Sequence, residues 1–199
     1  MGGPPPRPTT ARSTMQSGPM QRLVTELTRA FAADPKGADA AGLLAAYARG
    51  SGDWDRYAQF DDSRYTRNLV ARCEHFELLV LCWAPGQRSP IHDHQGQRCW
   101  MGVLDGRIEE GQFQQAEAGP PRAVGTKVFE RGGVAYITDD IALHDIAGAD
   151  GRAAVSLHLY AGPISTCRIF DRVTGEVTER RLEYDSIGGR PGARAVADA

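Results

Sequence analysis

The chain has no apolar run long enough to span a bilayer: the longest, Leu78 to Ala84, covers seven residues and includes a Trp and a Cys suited to a core. It has no excess of basic charge either. Lys and Arg number 23 against 25 Asp and Glu, a net charge of −2, so no nucleic-acid surface is expected. The four cysteines, Cys73, Cys82, Cys99 and Cys167, lack the C-x-x-C spacing of a zinc ribbon and the density of a small secreted scaffold. Reduced thiols in a cytoplasm are therefore expected. No secretory h-region is present, because residues 1–20, MGGPPPRPTTARSTMQSGPM, are rich in Pro, Thr and Ser and read as a disordered arm. Pro6 stands where a myristoylation motif wants Ser or Thr, which removes a lipid anchor from consideration. No internal repeat occurs.

What is present suffices for one core: 199 residues, of which 41% are hydrophobic. Leu23, Val24, Leu27, Ala30 and Phe31 recur at helical spacing and stop before Pro35. Leu43, Leu44 and Tyr47 mark a second helix ending near Gly50, and DWDRYAQF a third, short one. After Ser63 the texture changes to short runs rich in Val, Ile, Leu and aromatics, separated by Gly, Pro and Asp. YTRNLV, FELLVLCW, RCWMGVL, TKVFE, GVAYIT, AAVSLHLY, TCRIFDR and VTERRLEY read as strands. Antiparallel strands at this spacing favour an all-β barrel or jelly roll with the N-terminal helices packed outside. The domain is expected over residues 21–186, and 187–199, IGGRPGARAVADA, as a loose tail without periodicity.

Two of the five histidines stand one residue apart in SPIHDHQGQRCW. On a strand, residues two apart share a face, so His92 and His94 present two imidazoles together, an arrangement suited to a divalent metal. The spacing from Gly86 through His92, His94 and Cys99 to Gly106 resembles the first motif of the cupin superfamily, whose metal-binding Glu usually stands where Cys99 does. His144, in DDIALHDI, lies where the second cupin motif places its histidine. His75, between charged neighbours, reads as a surface residue. In SLHLY, Ser156, His158 and Tyr160 share one face and Leu157 and Leu159 the other. Either face could be the inner one. YTRNLV leaves the same question for Tyr65, Arg67 and Leu69; inward, Arg67 could grip a carboxylate with two parallel hydrogen bonds.

Taken together, YTRNLV, VLCW, SPIHDHQGQRCW, SLHLY and STCRIFDRVTG resemble the cysteine dioxygenase family, in order, from roughly Tyr57 to Glu183. The resemblance implies a cupin barrel holding one ferrous ion, Fe(2+), which uses O2 to convert L-cysteine to cysteine sulfinic acid. It implies His92, His94 and His144 as the iron ligands. Arg67 is implied to hold the substrate carboxylate, with help from Tyr65 and Tyr160, and His158 and Ser156 to hold Tyr160 in place. Cys99 stands where the family's animal members form a thioether with the active-site tyrosine, here Tyr160. Cys167 is expected near the pocket; Cys73 and Cys82 are expected to be structural. A monomer is expected, with no membrane or nucleic-acid partner. The rival substrate is 3-mercaptopropionate, whose dioxygenases tend to carry Gln at the position of Arg67. A rival of another class is a non-catalytic metal- or ligand-binding cupin, or a zinc site, which three histidines also suit.

Overall fold

A computed structural model of the protein describes residues 18–50 and 52–196. Most of the arm expected over residues 1–20 lies outside the described residues. Helix α1 (Pro19–Ala33) begins with Pro at its first turn, where the missing N–H costs nothing, and buries Met20, Leu23, Leu27 and Phe31 as one stripe. It ends one residue before the Asp34–Pro35 step because Pro35 disfavours helical geometry at Asp34, which is extended. Helix α2 (Ala40–Arg49) buries Ala40, Leu44, Tyr47 and Ala48, and a short 3-10 turn, Trp54–Tyr57, stands where a third helix is expected.

The strands are β1 (Thr66–Arg72), β2 (Glu77–Trp83), β3 (Ile91–His92), β4 (Cys99–Asp105), β5 (Arg107–Gln114), β6 (Arg122–Glu130), β7 (Val134–Ile137), β8 (Leu143–Gly148), β9 (Ala154–Tyr160), β10 (Thr166–Phe170), β11 (Val177–Arg181), β12 (Glu183–Ile187) and β13 (Arg190–Val196). They form a seven-stranded sheet, β13-β12-β1-β2-β9-β4-β7, and a six-stranded sheet, β11-β10-β3-β8-β5-β6. All pairings are antiparallel except β1 with β12. This is the expected all-β jelly-roll barrel of cupin kind, with the two helices outside it. Among the described residues no helix is long and apolar enough to cross a membrane.

The central strands of the large sheet, β2 and β9, are buried on both faces, and that resolves the ambiguity of SLHLY. Leu157 and Leu159 pack with Leu78, Val80 and Cys82 of β2 against Leu23, Leu27 and Phe31 of α1. The opposite face looks between the sheets, where Leu79, Leu81 and Trp83 alternate inward on β2 and Ala154 and Tyr160 on β9. The leucines thus face one core and the polar row faces another. On β1, Leu69 belongs to the inter-sheet core and Tyr65 packs against it, so Arg67 between them projects the same way.

Two readings of the C-terminal region are corrected. VTERRLEY is two strands, β11 and β12, which enter different sheets on either side of the buried Leu182. The segment expected as a loose tail from residue 187 completes β12 and returns as β13, through a two-residue turn at Gly188 and Gly189, both with positive φ (59° and 78°). An edge strand needs only a partner for its backbone groups and no apolar period; Pro191, which lacks an N–H, is tolerated there. The Gly-Gly pair was the available signal.

Candidate metal centre

The two sheets each contribute half of the site. From the six-stranded sheet, His92 on β3 stands directly opposite His144 on β8, and His94 follows two residues after His92. One ring nitrogen from each lies within 4.8 Å of the others, and the ring centroids are 4.6 to 5.4 Å apart. Hydrogen bonds set the tautomers of two of the rings. His92 Nδ1 donates to the Pro90 carbonyl at 2.9 Å, and His144 Nδ1 donates to Glu110 Oε1 at 2.9 Å, which leaves both Nε2 lone pairs free. His94 is buried and neither of its ring nitrogens has a hydrogen-bond partner. An orphaned buried imidazole is costly unless a partner completes it. A divalent ion shared with two imidazoles does so.

Electrostatics keep the His92 and His144 rings neutral. Burial, reinforced by His94, lowers His92 to about 3, and burial with His92 and His94 lowers His144 well below the ordinary histidine value. Glu110, on the unanticipated strand β5, is raised to about 7, chiefly by burial. β5 escaped the sequence reading because RIEEGQFQ offers only two large apolar residues, Ile108 and Phe113, at uneven spacing. Asp139 caps the turn after His94, accepting the His94 and Gly96 amides at 2.7 Å each. Burial pushes its carboxyl up, but the His94 ring, whose Nδ1 lies 3.7 Å from Oδ1, and then the two amides outweigh it and hold the group at about 2. The residue beside each ligand is also pinned: the Asp93 carboxylate accepts the Arg168 amide at 2.8 Å and its Nε, and Asp145 accepts Arg88 Nη1 at 2.8 Å and Arg172. Both carboxylates are fully buried.

The seven-stranded sheet supplies the facing wall. Arg67 is 9% exposed; its Nη2 lies 3.4 Å from Glu77 Oε1, and its Nε has no partner. Glu77, fully buried, also accepts the Tyr184 hydroxyl at 2.9 Å and the Ile164 amide at 3.4 Å. Burial raises Glu77, opposed by Arg67 and Tyr184. Neither Glu77 nor Tyr184 stood out in the sequence, since each sits in an ordinary strand context. The Arg67 guanidinium carbon is 5.8 Å from the Tyr160 ring centroid, and Tyr160 is 6.0 Å from the His94 ring. Arg67, Tyr160, His92, His94 and Cys167 line one cavity.

The remaining expected residues are close by, with some differences in contact. Tyr65 does line the cavity, but its ring stacks on Trp83 at 4.7 Å and makes no hydrogen bond to Arg67. Trp83 Nε1 donates to Ser156 Oγ at 2.9 Å, and Ser156 Oγ is hydrogen-bonded to His158 Nε2 at 2.9 Å. That chain ends at His158, whose ring centroid is 6.4 Å from Tyr160. Burial holds His158 neutral. Cys99 and Tyr160 are direct cross-strand neighbours in β4 and β9 and share the inter-sheet core. Burial raises the Cys99 thiol and, with Cys99 adjacent, the Tyr160 hydroxyl, so both keep their protons near neutral pH. His75 is half-buried and pairs with Glu74 at 3.3 Å. Cys82 is buried beneath the helices and Cys73 packs at that cluster's edge.

Comparison with known proteins adds a family. Residues 8–173 match the family model "Cysteine dioxygenase type I". The chain is 36% identical to the cysteine dioxygenase type 1 of Danio rerio over 183 residues, 88% of this chain and 90% of that one. It is 35% identical to the Homo sapiens protein of the same name over 172 residues, covering 84% and 86%. Among solved structures, a double-stranded β-helix protein from Klebsiella pneumoniae superposes with a TM-score of 0.46 at 14% identity, covering 64% of this chain and 94% of that one.

Proposed function

The chain belongs to the cysteine dioxygenase type I family, and from that premise we propose that it adds both atoms of O2 to the thiol of L-cysteine, yielding cysteine sulfinic acid. His92, His94 and His144 hold one ferrous ion through neutral imidazole nitrogens. The donor set suits it: three imidazoles and no carboxylate leave the ion's full charge to attract a thiolate. When bound, iron supplies a Lewis acid that deprotonates a coordinated thiol and activates oxygen.

The protein's own residues then orient and isolate the substrate. Arg67 grips the carboxylate, using donors that Glu77 leaves available, and a planar guanidinium fixes direction as well as charge. Tyr160, protonated at neutral pH, donates toward the substrate end held by Arg67. Trp83 holds Ser156, which in turn pairs with His158 Nε2, so the buried row that carries Tyr160 on β9 stays in place as substrate enters and leaves. Holding reactants in register accounts for roughly 7 to 11 kcal/mol of a barrier in favourable systems.

The observation that carries the reading is a buried guanidinium with an unpartnered Nε, lining the same cavity as the imidazole cluster. Oxygen uptake by iron-loaded protein tests it, with cysteine, 3-mercaptopropionate and cysteamine compared side by side. Uptake with cysteine in preference to the other two is expected; uptake with 3-mercaptopropionate alone would move the substrate assignment, and none with any thiol would leave a non-catalytic metal site.

Cys99 and Tyr160 form a thioether during turnover: a bond joins Cys99 Sγ to a ring carbon beside the Tyr160 hydroxyl, and O2 accepts the two hydrogens lost. Their cross-strand pairing supports this. Intact mass after incubation with iron, cysteine and oxygen should fall by those two hydrogens in the wild type and stay unchanged in Cys99→Ala; an unchanged wild type would count against it.

A further inference from the structure

The cavity containing the histidines opens into a recess of about 340 Å³. Tyr65, Arg67, Arg180 and Leu182 line both spaces, so the recess is the cavity's mouth. Its remaining wall includes Arg64, Arg181 and Glu183. These charges are not equivalent. Arg64 is tied to Asp185 through both terminal nitrogens, Arg67 has Glu77, and Arg181 stands beside Glu183. The exposed Arg180 side chain makes no hydrogen bond or ion pair with another described residue.

The ladder aims Arg180 at the cavity. It stands directly opposite Cys167 in the β10–β11 pair, and directly opposed residues project from the same face of a sheet. Cys167 is buried in the inter-sheet core, so Arg180 projects over the same interior. Its field reaches the cavity wall: burial raises the Tyr65 hydroxyl and the Cys167 thiol, and Arg180 acts against both shifts together with Arg67.

The reaction changes the charge of its ligand. Cysteine arrives with a carboxylate, an ammonium and a thiol. The product leaves with a carboxylate, an ammonium and a sulfinate ionised at neutral pH, one fixed negative charge more. Inside the cavity, the Arg67 guanidinium is committed to the carboxylate. Arg180 is the next cation between the histidines and solvent.

Resting on the cysteine dioxygenase reading, we propose that the mouth is an anion subsite centred on Arg180, which takes the sulfinate group of the amino-acid product. It favours ligands bearing a second acidic group on the side chain of a small amino acid, and it leaves cysteine itself largely untouched.

The test is calorimetric titration of the iron-loaded protein under nitrogen with cysteine sulfinic acid, alanine and inorganic sulfate, in wild type, Arg180→Ala and Arg180→Lys. Arg180→Ala should weaken sulfinate binding by about threefold to fivefold, as befits one partly exposed ion pair, with Arg180→Lys retaining most of it. Alanine, with no second acid, should bind the variants as it binds the wild type, and the KM for cysteine should change by less than about twofold. Equal sulfinate affinity in wild type and Arg180→Ala would overturn the subsite. So would an equal loss for alanine, which would mean general anion attraction. Sulfate binding the wild type as tightly as the amino-acid sulfinate would overturn the amino-acid assignment. A wild type that consumes no oxygen with cysteine would sink the dioxygenase reading instead, while the titrations would still report on the mouth.

Discussion

Arg67 is a buried cation whose Nη2 leans on Glu77 while its Nε has no partner in the protein. A hydrogen bond to a charged group contributes about 1.5 to 3 kcal/mol, so Arg67→Gln should lower kcat/KM for cysteine by roughly tenfold to a hundredfold. Cysteamine, which has no carboxylate, should lose no more than about twofold; steady-state oxygen uptake with both thiols reads the difference, and equal losses would show that Arg67 is not the carboxylate contact. Glu77 has the complementary role of supplying the buried counter-charge. Breaking such a pair by neutralising one member costs about 3 to 5 kcal/mol, because the other charge stays buried. Glu77→Gln is therefore expected to lower Tm by roughly 6 to 20 °C and to raise the KM for cysteine more than it lowers kcat, measured by thermal unfolding and kinetics.

Elements matter here through the faces they present. β9 lies between β2 and β4 in the large sheet, and its two faces meet two different cores: helices on one side, the site on the other. Leu27 of α1, fully buried beneath that sheet, is a packing residue far from any ligand atom. Leu27→Ala should cost about 2 to 5 kcal/mol through the cavity it leaves, seen as a lower urea midpoint with an unchanged slope. The β4–β5 turn has a stricter requirement. Gly106 has φ of 68°, and a Cβ there would lie 2.6 Å from the Ala153 carbonyl oxygen. Gly106→Val combines left-handed strain with a backbone clash and should cost at least about 2 kcal/mol. An unchanged Tm in this variant would mean the turn relaxes freely.

On the scale of the whole molecule, the site ties the two sheets together. His92 and His144 come from one sheet, Arg67 and Tyr160 from the other, and among the described residues no disulfide joins the two. An ion bound by native protein and not by the unfolded chain adds RT ln(1 + [L]/Kd), about 2.7 kcal/mol at a hundredfold excess over Kd. Anaerobic loading with ferrous iron should raise Tm by roughly 5 to 10 °C, chelation should reverse the rise, and His144→Ala should abolish it. A metal-independent Tm would argue that the three imidazoles do not share an ion in solution.

Much of this was legible in one dimension because it rests on local periodicity. The spacing of Leu23, Leu27 and Phe31 dictates a helix whatever it packs on; His92 and His94 do meet, but β3 ends at His92, and the turn held by Asp139, not strand alternation, places His94. Runs such as YTRNLV and SPIHDHQGQRCW carry enough type and spacing to indicate a family. Other features depend on which surfaces meet, and a linear chain does not contain that information. Whether Ser156, His158 and Tyr160 look inward was undecidable while the second core beneath α1 was unknown. Glu77, Tyr184 and Glu110 matter only because distant strands bring them under Arg67 and beside His144. β13 exists because an edge had unpaired backbone groups to satisfy. Sequence by itself determined the helices, the periodic strands and the ligand types, since these follow from the backbone's periods and each side chain's chemistry, but not β5 or β13. Tertiary structure alone decided the counter-charges, the orientation of the polar row and the arginine-lined mouth, because burial and cross-sheet distance arise only when the two sheets close on each other.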